Sequence, residues 1–199
     1  PDYWLEPHIN VHFQPARYAG RTTKRTNHVG GKSYIEEILP VDSIEEYFER
    51  FDILEIDFTF YSLLLERDGK SGQKYRPAKS YHVLGKYNEY LGEKDGVILK
   101  APQVISANRL FRDGRYADNK LYLNPEIFTH QFYEPATELL GSTLKGIIFE
   151  QEYHRKQERM TVEDLVHDLD SFFSAIPKDG RYHLELRTDA YLKPPVFEI

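Results

Sequence analysis

The stretch FDILEIDFTFY, residues 51–61, has the pattern of a buried β-strand that contains two carboxylates. Apolar Leu54 and Ile56 alternate with Glu55 and Asp57, as they would in a strand whose successive side chains point to opposite faces. A buried carboxylate is costly unless it is paired or holds a ligand. The stretch therefore predicts a strand with one apolar face and one face that carries chemistry.

Strand and helix patterns alternate along the rest of the chain, which predicts parallel strands joined by helical crossovers. Two polar stretches, residues 21–32 and 112–120, are predicted to be loops. We expect residues 1–199 to form a single α/β domain. Predicted strands cover residues 11–18, 51–61, 95–102, 144–152 and 181–189, and predicted helices cover residues 42–51, 80–92, 124–141 and 161–176.

Composition narrows the class of protein. The chain contains no cysteine, which excludes disulfides and thiolate metal sites, and no apolar run approaches the ~18 residues of a membrane span. The first residues lack the basic start and apolar run of a signal peptide. The net charge of -6 and the pI of about 5.8 argue against a general nucleic-acid coat. We expect a cytoplasmic protein without a membrane partner.

Polar side chains recur at or near the carboxyl ends of the predicted strands, on the faces that alternate with apolar residues. In a parallel β/α barrel this end carries the active site. We expect these side chains to converge as catalytic residues, with a structural network of ion pairs as the alternative. They are Glu55, Asp57, Lys100, Glu150, Glu185 and Arg187.

Four motifs resemble the YecE-like proteins, also called domain of unknown function 72. They are YFERFDILEIDFTFY (residues 47–61), VILKAPQVISANRL (residues 97–110), GIIFEQ (residues 146–151) and YHLELRTDAY (residues 182–191). The resemblance implies a TIM-barrel-like fold, distantly similar to the endonuclease IV and xylose isomerase superfamily, with no firmly assigned activity. It also implies that Thr59 and Tyr61 are functional residues.

The chain departs from the family in charge and in length. Asp57 and Glu150 stand where the family usually has Asn and Gln, and Tyr191 stands where Trp is usual. A full barrel needs roughly 200 to 250 residues, but the fifth predicted strand ends near Arg187. We therefore expect a partial (β/α) barrel, truncated after about five βα units, as in a fragment of a longer barrel.

The first functional hypothesis is a metal-dependent phosphoester hydrolase. Four of the carboxylates would bind a divalent cation, while Lys100 and Arg187 would hold a phosphate. The basic segment that contains Arg21 and Arg25 would follow a polyanion such as nucleic acid, although a solvated loop is the favoured interpretation of that segment.

The second hypothesis is a metal-free enzyme or binder for a sugar or sugar phosphate. Glu150 and Glu185 would serve as acid and base, and Tyr61 and Tyr191 would stack on the ligand. The third hypothesis is a scaffold that binds an anion through Lys100 and Arg187 without turnover. The sequence leaves the choice among the three open.

Overall fold

The computed structural model describes residues 9–10, 23–29, 32–39, 44–68, 74–112, 114–154 and 156–199. The strands are β1 (Ile9–Asn10), β2 (Thr23–Val29), β3 (Lys32–Leu39), β4 (Ile53–Ile56), β5 (Leu65–Arg67), β6 (Tyr75–Pro77), β7 (Gly96–Lys100), β8 (Arg109–Arg112), β9 (Arg115–Asp118), β10 (Leu144–Gln151) and β11 (Tyr182–Leu186). The α-helices are α1 (Ile44–Phe48), α2 (Lys79–Asn88), α3 (Gln103–Ser106), α4 (Pro125–Phe128), α5 (Glu134–Leu140), α6 (Val162–Ala175) and α7 (Pro194–Phe197).

A four-stranded parallel sheet in the order β11-β10-β7-β4 forms the centre of the fold. The strands and intervening helices predicted from the sequence account for this sheet. Because all four strands run in one direction, their carboxyl ends meet at the same edge. That edge gathers the residues that the sequence analysis singled out.

The sheet packs one apolar face into the main hydrophobic core. Leu54, Leu99, Ile147 and Phe149 are buried there, on the face opposite to Glu55, Lys100 and Glu150. Aromatic rings fill the space behind this face, and Phe128, Phe149 and Phe172 contact one another with centroids 5.1 to 5.6 Å apart. Apolar burial on this face stabilises the sheet and fixes which side chains point to the other face.

Local signals set the two helical segments that cover this core. The Asn124 side chain accepts a hydrogen bond from Ile127 N and caps α4, and Thr161 accepts one from Asp164 N and caps α6. The helix predicted over residues 124–141 is divided by a π-helical turn, Thr129–Tyr133, which lies directly before the proline of α5. Proline lacks the N–H that a regular helix requires, which accounts for a break near Pro135.

Two segments predicted to be loops form antiparallel hairpins instead. β2 and β3 pair from Thr23 opposite Ile38 to Val29 opposite Lys32 and form a three-stranded sheet with β1, and β8 pairs with β9. The second segment contains Asp-Gly at residues 113–114, and this dipeptide is a strong indicator of a hairpin turn. The loop prediction did not take it into account. Gly114 has φ +79°, the left-handed conformation that glycine adopts readily.

The coarse α/β class is confirmed, whereas the barrel is not. Within the described ranges β4 and β11 are the outer strands of the parallel sheet, and no closed barrel is formed. The first predicted strand, residues 11–18, lies outside the described residues. In the part of the chain that the structure describes, no helix has both the length and the apolar character needed to cross a bilayer.

Candidate functional site

Four neighbouring strands bring the predicted catalytic residues to one edge of the sheet. Glu55 lies in β4 and Asp57 directly follows it, while Lys100 is the last residue of β7. Glu150 of β10 lies opposite Glu185 of β11 in the parallel register. The period of two along each strand therefore places these side chains on one face, away from the apolar core.

Lys100 lies at the centre of the carboxylates and is only 1% exposed. Its ammonium donates a hydrogen bond to the Glu150 carboxylate. The Lys100 Nζ distances are 2.6 Å to Glu150 Oε2, 3.2 Å to Asp57 Oδ1, 3.7 Å to Glu55 Oε1 and 4.0 Å to Glu185 Oε2. One buried cation therefore lies within 4.0 Å of four carboxylates, and we call these five residues with Arg187 the carboxylate cluster.

Arg187 joins the cluster from the loop after β11. Its Nη2 atom lies 2.9 Å from Glu150 Oε2, and its Nε atom donates to Glu185 Oε1 at 3.0 Å. The accessible part of the cluster consists of Glu55, Glu185 and Arg187, whose side chains are 27%, 34% and 37% exposed. A ligand that approached this edge would meet two carboxylates and one guanidinium.

Burial governs the electrostatics of the cluster. Desolvation raises the pKa of Glu55, Asp57 and Glu150 above their ordinary values, although Lys100 acts in the opposite direction on each. Four carboxylates against two cations leave an excess of negative charge when all six groups are ionised. The buried carboxylates of the cluster therefore release their protons at a higher pH than isolated carboxylates do, and such a site can exchange protons with a bound molecule.

The five residues predicted to bind substrate lie in different settings. Thr59 is fully buried in a 3₁₀ helix, Phe58–Tyr61, and its hydroxyl lies 2.7 Å from the Lys100 carbonyl, so it positions the end of β7. Tyr61 is 59% exposed at the end of the same helix. The prediction that the strand continues through residue 61 is wrong, because the chain leaves the sheet after Ile56.

Tyr191 is only 1% exposed. Its hydroxyl lies 3.3 Å from the Met160 carbonyl and 3.4 Å from Nδ1 of His154, and its predicted contact with a ligand stays a prediction. Arg21 lies outside the described residues, and Arg25 lies in β2 opposite Glu36. Their proposed contact with a polyanion stays a prediction.

A second polar group, which was not predicted from the sequence, lies just beyond β10. His154 Nε2 lies 2.8 Å from Glu152 Oε1, and Thr188 Oγ1 accepts a hydrogen bond from His154 N. These contacts connect the loop after β10 to the loop after β11, next to Arg187. The sequence does contain an indication of this group, because Glu150, Glu152 and His154 occupy alternate positions. Their burial could be recognised only from the structure.

A defined cavity lies at the other end of the sheet. It measures about 320 Å³ and is lined by residues that include Phe173, Lys178, Tyr182 and Val196, none of them in the carboxylate cluster. The polar pocket predicted at the carboxyl edge therefore stays a prediction.

Comparisons with known proteins give one structural similarity. No family model matches the chain, and no curated protein matches it. The structure is similar to the crystal structure of a protein from Enterococcus faecalis that is described as a member of the domain of unknown function 72 family, with a TM-score of 0.47 and 16% sequence identity. The match covers 78% of this chain and 47% of that protein, so the chain spans about half its length.

Proposed function

We propose that the carboxylate cluster is an acid–base site for a polyhydroxylated, sugar-like substrate and that it works without a resident metal ion. The observation that carries this proposal is the position of Lys100, whose ammonium lies within 4.0 Å of four carboxylates. The ammonium occupies the centre that a divalent cation would otherwise take. It supplies the positive charge that keeps several carboxylates together in a buried site.

The roles of the carboxylates follow from exposure and pKa. Glu55 combines a raised pKa with partial exposure, so it is suited to deliver a proton as general acid. Glu185 is partly exposed and bound to Arg187, which holds it in place as a base. Glu150 is 8% exposed and contacts both cations, so it organises the cluster rather than meeting the substrate.

The metal-dependent phosphoester hydrolase expected first from the sequence has less support. Among the described residues, no group of three or more His, Cys, Asp or Glu side chains is arranged to hold a metal ion. Carboxylates outnumber cations in the cluster, which disfavours a phosphate ester, whereas a neutral sugar offers hydroxyl groups that donate hydrogen bonds to carboxylates.

A panel of nitrophenyl glycosides, with bis(nitrophenyl) phosphate as the phosphodiester, tests the proposal. We expect the chain to turn over a glycoside at a rate that a metal chelator does not reduce. This rate should fall about a hundredfold or more in Glu55→Gln and in Glu185→Gln. Glu126→Gln is the matched control, because this carboxylate is 70% exposed and lies outside the cluster. Phosphodiester turnover that is lost on chelation would overturn the proposal in favour of the metallohydrolase.

A further inference from the structure

Exposed aromatic rings gather at the carboxyl edge of the parallel sheet. Tyr61 follows β4, Phe111 and Tyr116 lie in the hairpin that follows β7, and Tyr153 follows β10, each between 59% and 64% exposed. We call these four residues the aromatic rim. Phe197, the remaining strongly exposed aromatic among the described residues, lines the cavity near the amino end of β11.

The β8–β9 hairpin presents its two rings as one surface. Phe111 and Tyr116 are direct cross-strand partners, and their centroids lie 5.2 Å apart. The guanidinium of Arg109 lies 5.5 Å from the Tyr116 centroid on the same face. Leu110 points to the opposite face and is 7% exposed, although its cross-strand partner Ala117 is exposed. The face that carries Phe111 and Tyr116 is open.

The base of the hairpin is fixed close to the carboxylate cluster. Arg109 N donates a hydrogen bond of 3.0 Å to Glu152 Oε1, two residues after Glu150. The Asn119 side chain donates to the carbonyl groups of Val104 and Ala107, which holds the second strand against the segment that follows β7. The open aromatic face is therefore anchored at the same edge as the candidate acid–base site.

We propose that Phe111 and Tyr116 form an outer subsite for a neutral oligosaccharide whose next units reach the carboxylate cluster. The inference rests on the proposed function and identifies its substrate as a chain of several sugars. A pair of exposed rings in contact marks a candidate binding surface, and a flat aromatic face suits the apolar face of a sugar ring. Tyr61 and Tyr153 follow β4 and β10 at the same edge of the sheet.

Charge decides between an oligosaccharide and single-stranded nucleic acid, the other ligand that stacks on aromatic and arginine side chains. A nucleic-acid site requires a positively charged groove that follows the phosphates. Here the edge leads to four carboxylates and two cations, and the chain carries a net charge of -6. A neutral chain reaches the cluster without this repulsion.

Isothermal titration with neutral hexasaccharides tests the inference, using cellohexaose, maltohexaose and xylohexaose beside glucose and xylose. We expect one hexasaccharide to bind about tenfold more tightly than its monosaccharide. The double variant F111A/Y116A should lose that gain while it keeps the affinity for the monosaccharide. Phe197→Ala is the matched control, because Phe197 is equally exposed at 65% but lies elsewhere, and it should bind as the unaltered chain does.

Three results would overturn the inference: wild-type affinity of F111A/Y116A for the hexasaccharide, no binding of any hexasaccharide, or hairpin-dependent binding of a ten-residue oligothymidylate. The proposed function fails separately. If Glu55→Gln and Glu185→Gln abolish glycoside turnover while F111A/Y116A changes nothing, the acid–base site stands without the outer subsite. If hexasaccharide binding depends on the hairpin while Glu185→Gln keeps full turnover, the outer subsite stands without the proposed chemistry.

Discussion

The two ends of the parallel sheet hold buried carboxylates in opposite ways. At the amino end, Asp179 meets one arginine: Arg181 Nη2 lies 2.6 Å from its Oδ2 atom, and Tyr133 donates a hydrogen bond to the same oxygen at 2.9 Å. Arg181 also donates to the Leu144 carbonyl. At the carboxyl end, four carboxylates share Lys100 and Arg187.

The pKa directions at the two ends differ accordingly. Hydrogen bonds from Arg181 lower the pKa of Asp179 from its ordinary 3.8 to about 2, because each of them favours the charged form. Desolvation raises the pKa of Glu55, Asp57 and Glu150, because burial outweighs the attraction of Lys100. Hydrogen bonds offset the cost of burying the Asp179 carboxylate, whereas the carboxylate cluster keeps part of the electrostatic cost of burying its carboxylates.

The largest expected effect comes from Lys100→Met, which removes the central cation and keeps a side chain of similar length. We expect the free energy of unfolding at neutral pH to fall by about 3–5 kcal/mol, because the buried carboxylates lose their partner. The loss should shrink near pH ~4.5, where the cluster carboxylates take up protons. Urea unfolding at the two pH values measures both effects.

Lys86→Met, at an exposed position of α2, is the control for the loss of a lysine at the surface. It should change the free energy of unfolding by less than about 0.5 kcal/mol. If Lys100→Met unfolds like the unaltered chain at neutral pH, then Lys100 does not hold the carboxylates together.

Asp179→Asn should have a smaller effect, at the other end of the sheet. We expect the free energy of unfolding to fall by about 2 kcal/mol at neutral pH, which is the usual effect of removing a hydrogen bond to a charged group. Because the pKa of Asp179 is lowered in the folded state, its contribution is present above 3.8 and disappears as the pH falls to about 2. Urea unfolding between neutral and acidic pH should show the variant and the unaltered chain converging.

Asp170→Asn on the exposed face of α6 is the matched control and should leave the unfolding free energy unchanged. A difference between Asp179→Asn and the unaltered chain that persisted to pH ~2 would contradict the assignment of Asp179 as a stabilising ion pair.

The sequence was sufficient for the sheet and for the members of the carboxylate cluster, for a physical reason. Parallel strands that are buried on one face carry a regular alternation, so the parity of Glu55, Lys100 and Glu150 could be counted along the chain. The position of each residue near a strand end then indicated a shared edge. Which carboxylate contacts Lys100 most closely could not be counted, because distances across strands depend on register and twist.

Other features of the fold could not be predicted by counting residue positions along the strands. In the β2–β3 hairpin, Lys24 lies opposite Glu37 and Arg25 lies opposite Glu36. A run of polar residues in the sequence does not indicate which residues will lie opposite one another across two strands. Tyr191 has the sequence context of a ligand-binding residue, yet tertiary packing places its ring in a second apolar cluster with Leu165 and Leu169. Aromatic side chains suit either setting, so burial had to be observed.

The smallest expected effect, and the one with the opposite sign, comes from Glu55→Gln. The pKa of Glu55 is raised above 4.5 in the folded state, so its stabilising contribution is present below that pH and is lost as the pH rises through the folded pKa. Glutamine resembles the protonated form. We therefore expect the free energy of unfolding to rise by no more than about 1 kcal/mol at neutral pH and to stay unchanged below pH ~4.5. Urea unfolding at the two pH values measures both.

The sign of this change separates the two interpretations of the cluster more sharply than its size. A structural network should lose stability when one carboxylate is neutralised, as Asp179→Asn is expected to do, whereas a site that holds its charges for chemistry should gain stability and lose function. Glu163→Gln in the first turn of α6 is the control for an exposed carboxylate. If Glu55→Gln is destabilised like Asp179→Asn, the carboxylate cluster is a second structural ion-pair network and the acid–base proposal loses its physical basis.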